Sequence, residues 1–335
     1  MIASRRNHLS LFLVALLAVV MLAAALAACS SGSNASGSTT GTPSGSPAAN
    51  SSSRPTTGSP NFNELIVATT TSLNDSGLLN DVVVPAYNTL YPDVTVKIVA
   101  VGSGAAIAMA EQGNADVLLV HSPAAEQQFM ADGFGTFRVP FAYNFFTIVG
   151  PKSDPAQVAD AKTAAEAFKQ IAAYGEKSGK VAFVSRGDQS GTNTKELSLW
   201  SAAGVTPSAS PTPTPAPEPS GDWYIKTGQG MAQTLTVANQ KQAYTLTDTA
   251  TYLADKSDLT IVPLLNESAD LKNFYSVILI SQQKFPVVNA WGAENLASWL
   301  TGPDGQKAIA DYGKDKYGQA LFFPNSKSLP ETPQK

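Results

Sequence analysis

The sequence predicts an α/β protein whose folded part divides into two lobes with a ligand cleft between them. Three observations carry this. Apolar runs of strand length alternate with segments of helical periodicity from about residue 62 to 330. At 335 residues, 43% hydrophobic and 14% charged, the chain can bury a large core but is too long for one compact unit. Finally, three strand-to-helix turns are rich in Gly, Ser and Thr, the composition suited to a crevice beyond the carboxyl ends of strands.

The elements follow in order. Arg5 and Arg6 precede a small and apolar run, Leu9 to Ala28, that stops at Cys29, the pattern of an export signal over residues 1–28. The end of that run, Leu26-Ala27-Ala28-Cys29, resembles a bacterial lipobox, which implies cleavage before Cys29 and a lipid anchor on its sulfur. An uncleaved anchor helix is the alternative reading of the same 20 residues. Residues 29–61 are a tether of Gly, Ser, Thr, Pro, Ala and Asn, too poor in apolar side chains to fold. Strands are then expected at 65–70, 94–101, 115–120, 145–149, 181–184, 259–262 and 274–280, in mostly parallel sheets. Helices are expected through Leu78 to Tyr87, at 105–111, and near 161–173, 191–203, 229–239, 289–300 and 304–317. The proline-alternating stretch Pro207 to Ser220 reads as a surface insertion of polyproline II character.

Composition excludes several functions. The formal charge of −4 becomes −6 without residues 1–28, which makes a generic nucleic-acid binder untenable. One cysteine and two histidines, His8 and His121, leave no disulfide framework and no Cys/His zinc site. A Ser-His-Asp triad would depend on His121 alone, and neither a GxSxG elbow nor a P-loop occurs, so no enzyme is predicted. No cofactor is implied.

The three turns carry the functional signal. They are Thr69-Thr70-Thr71-Ser72 with Asp75-Ser76-Gly77, Val101-Gly102-Ser103-Gly104, and Ser185-Arg186-Gly187-Asp188-Gln189-Ser190-Gly191-Thr192. A helix N-terminus presents unpaired N–H donors and a positive partial charge, and small hydroxyl residues there can cradle an anion. Each turn taken singly reads first as an ordinary N-cap, since Ser, Thr and Asp are the favoured capping residues. Arg186 distinguishes the set, because a guanidinium offers forked donors to a tetrahedral oxyanion.

In order along the chain, ATTTS with DSGLL (68–79), AVGSG (100–104), ADVLLVH (115–121), YN before TIVGP (143–151), SRGDQSGT (185–192), WY with GQGM (223–231) and AYTLTD (243–248) resemble the TupA family. These are the tungstate-binding receptors of bacterial ABC importers. The resemblance implies a type II periplasmic-binding-protein-like fold, with lobe 1 at 62–144 and 244–330 and lobe 2 at 145–243. It implies a tungstate ligand, an ABC permease with its ATPase as partners, a monomer, and an extracytoplasmic location. Carried over residue by residue, Thr70, Thr71, Ser72 and Ser103 would line one side of the site, and Arg186, Ser190, Gly191 and Thr192 the other. Asp188 would hold Arg186 in place, and His121 is either a structural residue at a strand end or a second shell to the anion.

The chain departs from the family at Thr249, where an Arg is expected after TLTD, and at Phe145, where an acidic residue is common. SRGDQSGT is also similar to the phosphate receptors of the same fold, so molybdate, phosphate and sulfate stand as alternatives. Phosphate near neutral pH retains a proton and calls for a carboxylate acceptor, whereas tungstate requires donors only. A phosphate receptor would place an Asp where this chain has His121. The tripeptide Arg186-Gly187-Asp188 raises adhesion as a remote alternative that requires an exposed, protruding loop.

Overall fold

The computed structural model describes residues 58–207, 217–266 and 268–326. The signal segment, Cys29, residues 29–57 of the tether and positions 208–216 of the Pro-rich insertion lie outside the described residues.

The elements are β1 (Glu64–Thr70), α1 (Thr71–Asp75), a π-turn at Leu79–Val83 running into α2 (Val84–Leu90), β2 (Thr95–Val101), α3 (Ser103–Glu111), β3 (Val117–Val120), α4 (Pro123–Ala131) and β4 (Gly135–Gly150). There follow α5 (Ala164–Ser178), β5 (Phe183–Ser185), α6 (Gly191–Ala202), β6 (Tyr224–Lys226), α7 (Met231–Lys241), β7 (Thr245–Asp248), α8 (Thr249–Asp255) and β8 (Val262–Asn266). The described part ends with β9 (Lys272–Ile280), α9 (Ala290–Thr301), α10 (Pro303–Asp311), α11 (Lys314–Tyr317) and β10 (Phe323–Pro324). Among the described residues no helix is long and apolar enough to cross a membrane.

The α/β class is as expected, but the expectation of mostly parallel sheets is corrected. Parallel pairing joins β1 to β2 and β3, and β5 to β6. By contrast β9 runs antiparallel to both β3 and β4, and β7, β8 and β10 all run antiparallel to β4. The main sheet follows the order β10-β4-β9-β3-β1-β2. Strand β4 is 16 residues long where only its last third, 145–149, was expected, because its first half is merely half-buried and contains Pro140. It changes partners along its length: residues 135–145 pair with β9, and 146–150 with β7 and β8. Residues 245–266, expected with the first lobe, therefore pair with the second half of β4.

The buried side chains sort accordingly. Leu65, Val67, Phe141, Tyr275, Leu300 and Phe322 belong to one cluster, backed by a second around Ala106, Leu118 and Ile278. Ile148, Phe168, Phe183, Trp200 and Tyr244 form another, backed by Val184, Leu235 and Ile261. Local signals set the helix ends. In α5 the Thr163 hydroxyl accepts the Glu166 N–H at 3.1 Å, and Gly179 closes the helix at φ +64°. The helix expected over 304–317 is broken at Gly313, whose φ of +92° separates α10 from α11.

Candidate functional site

Strands β1, β2 and β3 lie side by side and parallel, so their carboxyl ends deliver Thr70, Gly102 and His121 to one edge of the sheet. Strand β5 ends at Ser185 and delivers Arg186 and the loop before α6. These two edges meet. An added Cβ on Gly102 would stand 3.3 Å from both the Asp188 carbonyl oxygen and the Ser190 Cα. Gly191 faces His121 so closely that a Cβ would fall 2.6 Å from the His121 carbonyl oxygen and 2.9 Å from ring Nδ1. Only glycine fits there.

Arg186 is the centre of the arrangement. It is 2% exposed, and its Nη2 donates to Thr71 Oγ1 at 2.9 Å and to Asp188 Oδ2 at 2.5 Å. Asp188 Oδ1 in turn accepts the Ser190 N–H at 3.2 Å, so both carboxylate oxygens are occupied by donors. The loop is tightly wound, with Gly187 at φ +59° and Gln189 at φ +58°. The burial of Arg186 removes the protruding loop that adhesion requires.

The remaining donors are informative. Arg186 Nε and Nη1, Ser103 Oγ and Thr192 Oγ1 are all buried without a hydrogen-bond partner among the described residues. Buried polar atoms are nearly always paired, and leaving four orphaned costs on the order of 1–3 kcal/mol each. These four come from three residues that the sequence nominated independently.

The other nominated hydroxyls have protein partners. Thr70 caps α1 by accepting the Leu73 N–H at 3.2 Å, and Ser190 caps α6 by accepting the Asn193 N–H at 3.2 Å. Ser72 Oγ lies 3.1 Å from His121 Nε2 and 3.3 Å from Thr70 Oγ1. Thr69 turns away and donates to the Leu119 carbonyl at 2.8 Å. His121 is buried, which lowers it to about 4 against the partial support of a hydrogen bond to Asn273. Its ring is neutral at physiological pH.

Other polar residues in these layers were not singled out as site candidates. Glu196 on α6 is buried and accepts from Ser185 Oγ at 2.6 Å, Tyr224 OH at 2.8 Å and Trp200 Nε1 at 2.9 Å. Burial raises it to about 7 despite these donors. Asp248, Asn144 and Asn273 form a buried row at the place where β4 exchanges β9 for β7. Isolated polar residues inside otherwise apolar strands were the available signal. The two family departures prove to be neighbours, since Thr249 Oγ1 donates to the Phe145 carbonyl at 3.0 Å. In place of a charged side chain at 145, the Phe145 ring packs edge-on to Tyr143 and Phe323.

The chain is similar to several known proteins. Residues 33–304 match the model of the PBP superfamily domain. The chain is 41% identical over 264 residues to the tungstate-binding protein TupA of Peptoclostridium acidaminophilum, covering 78% of this chain and 86% of that protein. It is 40% identical over 245 residues to TupA of Campylobacter jejuni, covering 72% and 84%. Among solved structures, the tungstate ABC transporter protein of Geobacter sulfurreducens superposes with a TM-score of 0.64 at 44% identity, covering 74% of this chain and 98% of that one. By these likenesses the chain belongs to the periplasmic-binding-protein superfamily and, within it, to the TupA family of tungstate-binding proteins.

Proposed function

We propose that the protein captures tungstate outside the cytoplasm and delivers it to an ABC permease and its ATPase, as a monomer tethered to the membrane through lipidated Cys29. It binds its ligand without chemistry and without a cofactor. The observation that carries this reading is the set of four buried donors on Arg186, Ser103 and Thr192 that have no partner among the described residues. Donors without a facing acceptor suit a fully deprotonated tetrahedral dianion. Thr71 joins them as the hydroxyl already touching Arg186, while Thr70, Ser72, Ser190 and Gly191 shape the walls.

Asp188 supports tungstate over phosphate. Phosphate would bring a proton and need a carboxylate turned toward it, whereas Asp188 directs Oδ2 to Arg186 and Oδ1 to the Ser190 N–H. The experiment is a calorimetric titration of the full-length protein with tungstate, molybdate, sulfate, phosphate and chromate in one anion-poor buffer. Tungstate should bind far more tightly than phosphate and sulfate. A preference for phosphate would overturn the argument from Asp188, and silence for all five would overturn the oxyanion reading.

A further inference from the structure

Ser72 is tied to a row of buried side chains that anion capture itself does not use. The row begins at Asp248, whose side chain caps α8. Asp248 Oδ1 accepts the backbone N–H of Thr251 at 3.0 Å, and a backbone amide can only donate. A hydrogen on the carboxyl group would sit on Oδ2, which faces the Thr251 hydroxyl at 2.6 Å, so Oδ1 accepts in either charge state and the Asn144 atom 3.1 Å away is Nδ2. Asn144 Oδ1 then accepts from Asn273 Nδ2 at 2.9 Å, and the same Nδ2 donates to the Tyr275 hydroxyl at 2.9 Å. Asn273 consequently turns Oδ1 toward His121 Nδ1, at 2.8 Å.

An amide oxygen cannot donate, so the imidazole carries its hydrogen on Nδ1. The neutral ring that burial enforces then has a bare Nε2, and the group 3.1 Å from it is Ser72 Oγ. Ser72 must give its hydrogen to the ring. The Ser72 oxygen, thus committed, is left to accept from Thr70 Oγ1 at 3.3 Å.

We infer that His121 is a positioning residue of the oxyanion site: held as the Nδ1–H tautomer by the row Asp248–Asn144–Asn273, it withdraws the Ser72 hydroxyl hydrogen from the anion, so that Ser72 serves as framework and the donors are Arg186, Ser103 and Thr192. The tautomer stands independently of the ligand, whereas the consequence for Ser72 rests on the proposed function.

Two measurements separate them. In the first, full-length protein labelled with 15N-histidine and carrying His8→Asn leaves His121 as the single histidine signal. At pH 7 it should show a protonated Nδ1 and a bare Nε2, and Asn273→Leu, which removes the acceptor, should shift the hydrogen to Nε2. An Nε2–H ring or an imidazolium in the parent would overturn the proposal. In the second, tungstate titration should find Ser72→Ala weakened less than threefold and Ser103→Ala tenfold or more. Equal losses would overturn the role given to Ser72, while a parent that ignores tungstate would overturn the anion reading and leave the histidine signal to decide the proposal.

Discussion

Arg186 and Thr71, 115 positions apart, are joined by a hydrogen bond of 2.9 Å from Nη2 to Oγ1. It links the loop entering α6 to the first turn of α1 while leaving Nε and Nη1 of the same guanidinium unpartnered among the described residues. A planar cation fixed at one corner and free along its other edge is preorganised to receive an anion without further rearrangement.

Truncating that cation should be the most damaging single change. Arg186→Ala is expected to weaken tungstate by about a hundredfold or more, from about 3 kcal/mol for removing a buried charge from its partner. Arg186→Lys should rescue only part of this, because an ammonium lacks the fork. Calorimetry on both variants checks it, and an Arg186→Ala affinity within about tenfold of the parent would refute the site.

Thr192→Ala tests the buried hydroxyl on α6. A hydrogen bond to a charged group contributes about 1.5–3 kcal/mol, so the affinity should fall roughly 10- to 100-fold. Thermal stability should change little or rise, since an unpartnered buried hydroxyl is removed. A variant that lost stability and kept its affinity would place the Thr192 hydroxyl outside the site.

Gly191→Ala tests the close approach of the two edges. The new methyl group would fall 2.6 Å from a backbone oxygen of His121, which cannot swing aside as a side chain can. Overpacking of this kind costs about 1–3 kcal/mol. A lower melting temperature together with weakened tungstate binding is expected, and an unchanged melting temperature would mean that the edges part readily.

Two buried groups should give opposite pH dependences of stability. Glu196 is raised from 4.5 to about 7, so its protonated form is favoured in the fold; that contribution is full below pH 4.5 and is lost as pH rises toward 7. His121 is lowered from 6.5 to about 4, so its contribution is present above pH 6.5 and is lost as pH falls toward 4. In Glu196→Gln the first dependence disappears. Denaturation midpoints at pH 4.5, 5.5 and 7 should show the parent losing stability relative to this variant as pH rises, and a constant difference would show that Glu196 ionises normally.

Much of the fold was legible where local signals act alone. Strands β1 and β2 and helices α3, α6 and α9 fall within a few residues of their expected places, because β-branched runs and helical periodicity agree with the caps that bound them. Strand direction was not legible. Whether β9 lies parallel or antiparallel beside β3 depends on the path of the chain from β8, and no residue in either strand encodes that path. Strand β7 was seen only as the motif TLTD, since four residues carry too little periodicity to announce a strand.

The sequence by itself determined the chemistry of this protein. Ser103, Arg186 and Thr192 stand in short turns whose composition selects donors for an anion, and turn composition is a local property. The tertiary structure alone decided which hydroxyls remain free to use that chemistry. Thr70, Ser72 and Ser103 are similar as sequence, yet Ser72 meets His121 from 49 positions away and Thr70 caps its own helix, while Ser103 is left unpartnered among the described residues. The physical reason is that a hydroxyl has one hydrogen to give, and which acceptor takes it is settled by the packing of strands distant in the chain.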